Sequence, residues 1–241
     1  MSSYYNNAGE AGGTGEAGEA RTARTTVRRR AGRGRYDRET IAAILDEGLI
    51  GHVAFVADGQ PYAIPMLYAP AGDRLYLHGS PLSRILGSMV SGVPICFTVT
   101  LLDGLVLARS AFHHSINYRS VVVLGQARVL RAQTEKLEAL RAIVEHVAPG
   151  RFGEARSPSE QELEATEVVA LAIEEVSAKL RTGPPVDAPE DYALAVWAGE
   201  LPLGLAIDAP RTDPRCSEPV PEYVRTYRRA DAHAEPAQAA G

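Results

Sequence analysis

Cysteine is scarce in this chain, and that scarcity excludes two protein classes at once. Only Cys96 and Cys216 occur in 241 residues. Cys96 sits in the apolar run VPICFTV and Cys216 in a Pro-rich stretch, so there is neither a disulfide framework nor a cysteine-rich metal site. Long apolar runs are missing too: no stretch of 18 apolar residues could cross a bilayer as a helix. The N-terminus, MSSYYNNAGEAGG, lacks the basic-then-apolar order of a secretory signal, and a cytoplasmic protein is expected. No GxGxxG follows an early strand, which removes the Rossmann route to a nucleotide. A formal net charge of -5 gives no general pull toward nucleic acid, and no nucleic-acid or membrane partner is expected.

Positive charge is nonetheless concentrated near one end. Arg21, Arg24, Arg28, Arg29, Arg30, Arg33 and Arg35 follow one another with no acidic residue between them. A solvated leader is a simpler reading of this run than an arm for an anionic surface. Residues 1–35 hold little to bury, so the chain is expected to divide into three parts. These are a disordered leader over 1–35, one domain over 36–208 and a flexible Pro/Arg/Ala-rich tail over 209–241.

Within the domain, Asp37 is placed to cap a short helix through Leu45, with Ile41, Ile44 and Leu45 on its apolar side. Two strands, about 50–57 and 61–69, flank Asp58-Gly59, a strong hairpin signal. RLYLHG forms a third strand after Gly72-Asp73. Residues 81–91 predict a helix with Ser80 as N-cap. The apolar run 93–99 reads as a central strand, turning at Asp103-Gly104 into LVLARSAF. YRSVVVLGQARVL reads as a long strand bent at Gly125. Thr134 begins a helix that buries Leu137, Leu140, Val144 and Val147, and a capping box is expected at Ser157 with Glu160. VVALAIEEV is one strand, and YALAVWA with LPLGLAI forms a last hairpin around Gly199-Glu200. Hairpins with inserted short helices, and no βαβ repeat, favour a mainly β (α+β) closed or split barrel.

Two clusters, HGSPLSR and HHSINYRS, interrupt the block from Leu75 to Val129, whose other segments read as buried strands. The ordered elements are His78-Gly79-Ser80, Arg84, the strand from Ile95 to Thr100, Tyr118-Arg119-Ser120 and Gly125-Gln126-Ala127. In this order the chain, from about Tyr36 to Ile207, resembles the pyridoxamine 5'-phosphate oxidase-like flavin-nucleotide-binding proteins. It is most similar to their nitroimidazole-resistance (Nim-type) branch. The resemblance implies a six-stranded split barrel that forms a homodimer, with a flavin site at each side of the interface. FMN is the cofactor it implies first, with FAD as the alternative.

The chemistry of FMN then sorts the candidates. A dianionic phosphate wants hydroxyls and a basic fork, which Ser80, Ser83 and Arg84 offer together. Alternation along a strand puts Tyr118 and Ser120 on one face and Arg119 on the other. Arg119 is expected as a second phosphate or ribityl contact, or else in an interface ion pair, with Tyr118 as a wall. Pro65, Met66 and Leu67 are placed for backbone contacts to the ring. Thr98 and Thr100 share a strand face and offer hydroxyls, or serve only as β-formers. The resemblance carries His78 over as a residue of the active centre, and Trp197 as an aromatic reaching the flavin from the partner subunit, or else packing in the core or interface. It also carries Lys179 and Arg181 over as a basic pair at the cofactor or substrate mouth, with a solvated pair as the simpler alternative. His52, His113 and His114 show no familiar zinc spacing, and no metal site is expected.

The expected function is an FMN-dependent oxidoreductase acting on a small organic substrate, aromatic or nitro-bearing. The alternative is a non-catalytic flavin-nucleotide-binding protein that senses, stores or sequesters cofactor. Pyridoxamine 5'-phosphate oxidation itself is not expected, because the C-terminal Arg-x-His arrangement of that enzyme is missing.

Overall fold

The structure, a computed structural model, describes residues 21–229. Its framework is an antiparallel sheet of ten strands. In chain order the elements are β1 (Gly34–Arg35), α1 (Arg38–Glu47), β2 (Ile50–Ala57), β3 (Gln60–Ala71) and β4 (Arg74–Gly79). Then come α2 (Arg84–Val90), β5 (Ile95–Leu107), β6 (Ser115–Gly125), β7 (Ala127–Val129) and α3 (Gln133–Val147). The chain ends with α4 (Arg151–Glu154), α5 (Glu160–Glu164), β8 (Glu167–Ala172), β9 (Glu175–Arg181), β10 (Gly199–Pro202) and α6 (Glu222–Arg225).

The sheet closes because strands change partners along their length. β3 pairs with β2 from Gln60 to Leu67 and with β4 from Tyr68 to Ala71. At Gly125 the β6 ladder to β5 and β9 gives way, past Gln126, to β7 pairing with β8. The bend expected at Gly125 is there. VVALAIEEV, read as one strand, is two: β8 joins β4 and β7, and β9 joins β6. The expected split barrel is thus drawn by β2, β3, β4, the β8–β9 run, the β6–β7 run and β5.

The inward residues Val53, Tyr68, Leu75, Leu77, Phe97, Val99, Val121, Val123, Val169 and Leu171 are buried and form the core with Ile41, Ile44 and Leu45 of α1. Asp37 caps α1, its carboxylate accepting from Thr40 N–H at 2.8 Å. At the first hairpin Asp58 and Gly59 both have positive φ, 52° and 75°, the conformation a two-residue turn between twisted strands requires. At Gly51 an added Cβ would stand 2.1 Å from the Phe97 ring, so only glycine lets that ring fill the barrel.

Several local expectations are corrected. Asp103-Gly104 is a bulge inside β5, not a turn: the ladder to β6 slips between Leu102 and Gly104, and Asp103 points inward to an arginine. Ser83, not Ser80, caps α2, accepting from Leu86 N–H at 3.4 Å. The capping box lies at Ser159 and Glu162, two residues later than expected. α3 buries Ala139 and Ile143, whereas Leu137, Val144 and Val147 are only half-buried. The small Ala139 lets α3 sit close on Val168 and Ala170, the outer residues of β8. No hairpin forms around Gly199. Instead β10 pairs with the far end of β5, Leu201 opposite Leu105.

The described parts of the two expected flexible ends are also anchored. Gly34 and Arg35 extend the sheet on β9, and Tyr36 Oη accepts from Val27 N–H at 2.8 Å. At the other end Tyr227 donates to Val147 O at 2.7 Å, and Arg229 donates to Glu47 O and Gly48 O at 3.0 and 3.2 Å. That guanidinium satisfies carbonyls left open at the end of α1. The rest of the expected leader and tail, 1–20 and 230–241, lies outside the described residues.

Candidate functional site

The candidate side chains fall into separate groups, and β3 connects the two that matter most. Pairing with β4 begins only at Tyr68, so among the described residues no strand covers the second edge of β3 from Gln60 to Leu67. Backbone N–H and C=O groups on such an edge are free to meet a ligand. Pro61 and Pro65 are tolerated there because an edge strand has no second ladder to lose. Tyr62 lies on this stretch, stacked on Phe55 at 5.5 Å.

Over Tyr62 stands Arg84, its guanidinium carbon 4.5 Å from the ring centroid. Arg84 is exposed and has no carboxylate partner among the described residues. The turn before it is built by serines. Ser83 Oγ donates to Ser80 O at 2.8 Å, and Ser80 Oγ accepts from Leu82 N–H at 3.2 Å. Gly79 permits this approach, since a Cβ there would meet Leu86 at 2.9 Å. The result is an unneutralised cation with two hydroxyls, beside a strand edge and an aromatic ring. Tyr62 was not among the sequence candidates. Its signal was available: an aromatic on an edge strand, cross-strand from Phe55.

A second group occupies the outer face of the sheet. One row runs Lys179, Ser120, Thr100 across β9, β6 and β5. The next runs Ser177, Val122, Thr98, His52, Pro65. Tyr118 pairs with Leu102 on the same face, and Leu67 pairs with Ile50. Much of the face is apolar yet exposed: Ile50 53%, Leu102 48%, Leu67 43%, Ile116 43% and Leu201 50%. Alternation along the strands holds as expected, with Thr98 and Thr100 together, and Tyr118 and Ser120 opposed to Arg119.

Arg119 is the main correction. Its guanidinium faces inward, buried, and is spent on two carboxylates. It donates to Glu47 at 2.8 Å and to Asp103 at 2.8 and 3.0 Å. The Glu47 hydrogen bonds, with those from Asp103, raise its pKa above the ordinary arginine value despite burial. Four of its five N–H donors are taken by these two carboxylates, so its charge is balanced inside the fold. Arg181 is likewise engaged, with Asn117 Oδ1, Gly183 O at 2.7 Å and Pro184 O at 3.0 Å. Met66 points inward and packs against the core.

His78 and Trp197 stand apart from both groups. On β4 His78 is opposite Val168, facing a cleft of about 320 Å³ lined also by Leu140, Arg156, Pro158, Glu162 and Thr166. Burial lowers its pKa and keeps the ring neutral, and its buried Nδ1 has no hydrogen-bond partner. In the same cleft the Arg156 ion pair holds the Glu162 carboxyl down to about 2. Trp197 is 68% exposed and folds over Gly199. A cavity of about 740 Å³ between α1, the β3–β4 turn and the β8–β9 turn contains none of the candidates.

The family model described as pyridoxamine 5'-phosphate oxidase matches residues 37–180. No curated protein matches the sequence. Among solved structures, the flavocytochrome Anf3 from Azotobacter vinelandii is 41% identical with a TM-score of 0.82, covering 87% of this chain and 98% of that one. A FAD- and haem-binding protein from Mycobacterium smegmatis is 40% identical with a TM-score of 0.77, covering 80% of this chain and 96% of that one. A proposed 5-nitroimidazole antibiotic resistance protein from Bacteroides thetaiotaomicron is 22% identical with a TM-score of 0.52, over 61% of this chain and 85% of that one. This last likeness shows a shared fold and no more. Matched by the family model over most of its barrel, and 40–41% identical to two solved relatives over at least 80% of its length, the chain belongs to the pyridoxamine 5'-phosphate oxidase family.

Proposed function

We propose that the protein is a flavin-dependent oxidoreductase, with the flavin nucleotide seated along the free edge of β3. The observation that carries this reading is the unneutralised Arg84 over Tyr62, beside Ser80 and Ser83 and an uncovered strand edge. Arg84 would take the flavin phosphate as a charge-assisted fork. The free-edge backbone groups of the Pro65–Leu67 stretch would meet the polar rim of the ring, and Tyr62 would wall the ribityl side. When bound, the flavin supplies hydride and single-electron transfer, and the chain positions it and excludes water. The relatives' names give FAD once, for the Mycobacterium protein, which supports FAD beside the FMN expected from sequence. They also draw the chain nearer to the flavocytochromes than to the nitroimidazole-resistance branch.

A second copy of the chain would cover the outer face, where Ile50, Leu67, Leu102, Ile116 and Leu201 are exposed together. That dimer would bring the exposed Trp197 of one subunit toward the other. The hydroxyl row of Ser120 and Thr100 with Lys179 would lie in the same interface. A small organic molecule over the ring remains the proposed substrate class. A purely cofactor-storing role is the competing outcome if bound flavin, once reduced, passes electrons to no small acceptor.

A second reading adds a haem, because the two relatives of 40–41% identity are a flavocytochrome and a FAD- and haem-binding protein. Of the described histidines, His146 does not fit, being committed to Gly48 O at 2.8 Å and packed on Tyr68. His78 would be the ligand: its ring lines a cleft and its Nδ1 is committed to no hydrogen bond. One visible spectrum of protein purified without added cofactor, with mass spectrometry of what heat releases, tests both readings. Flavin bands with released FAD or FMN support the first. An added Soret band, absent in His78→Ala, supports the second. A colourless protein that also ignores added FMN and FAD would refute the flavin reading.

A further inference from the structure

We propose a divalent transition-metal site, separate from the flavin edge, formed by His113, Asp187 and Asp191. The three residues lie on two segments that are remote in sequence: the turn after β5 that carries Ala111–His113, and the loop between β9 and β10. His113 Nδ1 is 3.9 Å from a carboxylate oxygen of Asp187 and 3.9 Å from one of Asp191, and the three candidate ligand atoms all lie within 4.8 Å of one another. Two ligands each about 2.1 Å from a shared ion stand roughly 3–4 Å apart, so a modest closure around one ion completes the set.

Three further observations point to a cation. The first is His113 Nδ1 itself, which is buried and has no hydrogen-bond partner, although it points between two carboxylates. At 3.9 Å it is too far from either for a hydrogen bond. Second, Asp187 is fully buried at its side chain and oriented by groups behind it. The backbone N–H groups of Arg109 and Ser110 donate to it at 3.1 and 3.4 Å, and the Arg109 guanidinium donates at 3.1 Å. Such outer bonds hold a metal-binding carboxylate in place and offset part of its charge. Third, His113 and Asp191 are partly exposed, at 33% and 24%, which leaves room for water to complete the coordination. Arg109 lies over the Tyr192 ring at 5.0 Å, fixing the residue next to Asp191.

One imidazole and two carboxylates suit zinc, manganese or ferrous iron better than magnesium or calcium, which prefer all-oxygen sets. The sequence hides this site because its ligands are separated by the whole of β6 to β9, and only Asp187-x-x-x-Asp191 is local. The ion would staple the turn after β5 to the loop that leads to Trp197.

The test is isothermal titration of chelator-treated full-length protein with Zn²⁺ and, separately, Mn²⁺. Wild type is expected to take up one equivalent that is lost, or weakened at least about tenfold, in both His113→Gln and Asp191→Asn. Arg109→Gln, which removes the guanidinium's contacts with Asp187 and the Tyr192 ring but keeps the backbone N–H, is expected to weaken binding less than either. Asp187 is left intact because its substitution would disturb the loop itself. Circular dichroism confirms that each variant folds. Metal uptake that survives both ligand substitutions places the ion elsewhere and overturns the proposal. So does a wild type that binds neither metal. Mg²⁺ binding that is equal in wild type and His113→Gln also overturns it.

Discussion

Two arginines of similar promise in the sequence, Arg84 and Arg119, end in opposite circumstances. Arg119 sits inside the barrel with its donors divided between Glu47 and Asp103. Arg84 is exposed, over a tyrosine, with no carboxylate partner among the described residues. A buried guanidinium must be paired, because an unpaired one costs several kcal/mol, so Arg119 is committed to the fold. An exposed guanidinium carries no such obligation and remains available to an anionic ligand. What separates the two is not residue type or motif but burial, and whether the charge is already balanced.

That contrast can be broken most forcefully at Arg119. Arg119→Met leaves two inward carboxylates without their cation and is expected to destabilise the fold by about 3–5 kcal/mol in urea unfolding. Arg84→Ala should do the reverse: unfolding stays within about 0.5 kcal/mol of wild type, while flavin binding weakens by about ten- to a hundredfold. If Arg119→Met proved as stable as wild type, the division between structural and available arginine would fail.

The next effect concerns the anchor of the C-terminal segment. Arg229→Ala removes the guanidinium that closes the end of α1 and is expected to cost about 1–3 kcal/mol in the same assay. A pH profile sharpens the picture at the same place. Burial, opposed by the bond to Gly48 O and aided by Arg229, lowers the pKa of His146 below 6.5 in the folded chain. The unfolded chain therefore binds the proton more readily. Stability from this group is complete above about pH 6.5 and falls as pH drops toward the depressed folded value, by at most about 1.4 kcal/mol per unit for one proton. His146→Gln should flatten that slope. The smallest expected effect is at Trp197, where Trp197→Ala shifts unfolding by no more than about 0.5 kcal/mol while weakening self-association in light scattering.

Sequence alone revealed the parts of the fold that local chemistry dictates. Asp37 capped its helix, Asp58-Gly59 turned its hairpin, and Gly125 bent its strand, because each depends on backbone freedom or a neighbouring N–H. The alternation that set Arg119 opposite Tyr118 and Ser120 was also legible. What Arg119 would meet on that side was not, since Glu47 and Asp103 reach it from other elements. Asp103-Gly104 misled for the same reason: an Asp-Gly pair reads as a turn until a distant arginine claims the aspartate. Ser80, Ser83 and Arg84 came together as spaced, but Tyr62 beneath them depended on how β3 lies against α2. The convergence of His113, Asp187 and Asp191 is wholly a product of folding.

The most direct test of the flavin assignment is a fluorescence titration of cofactor-stripped wild type and Arg84→Ala with FAD and with FMN. We expect about one flavin bound per wild-type chain, at least tenfold weaker binding in the variant, and superimposable thermal unfolding of the two. Equal affinities in wild type and variant would remove Arg84 from the phosphate, and with it the case for the free edge of β3 as the flavin site.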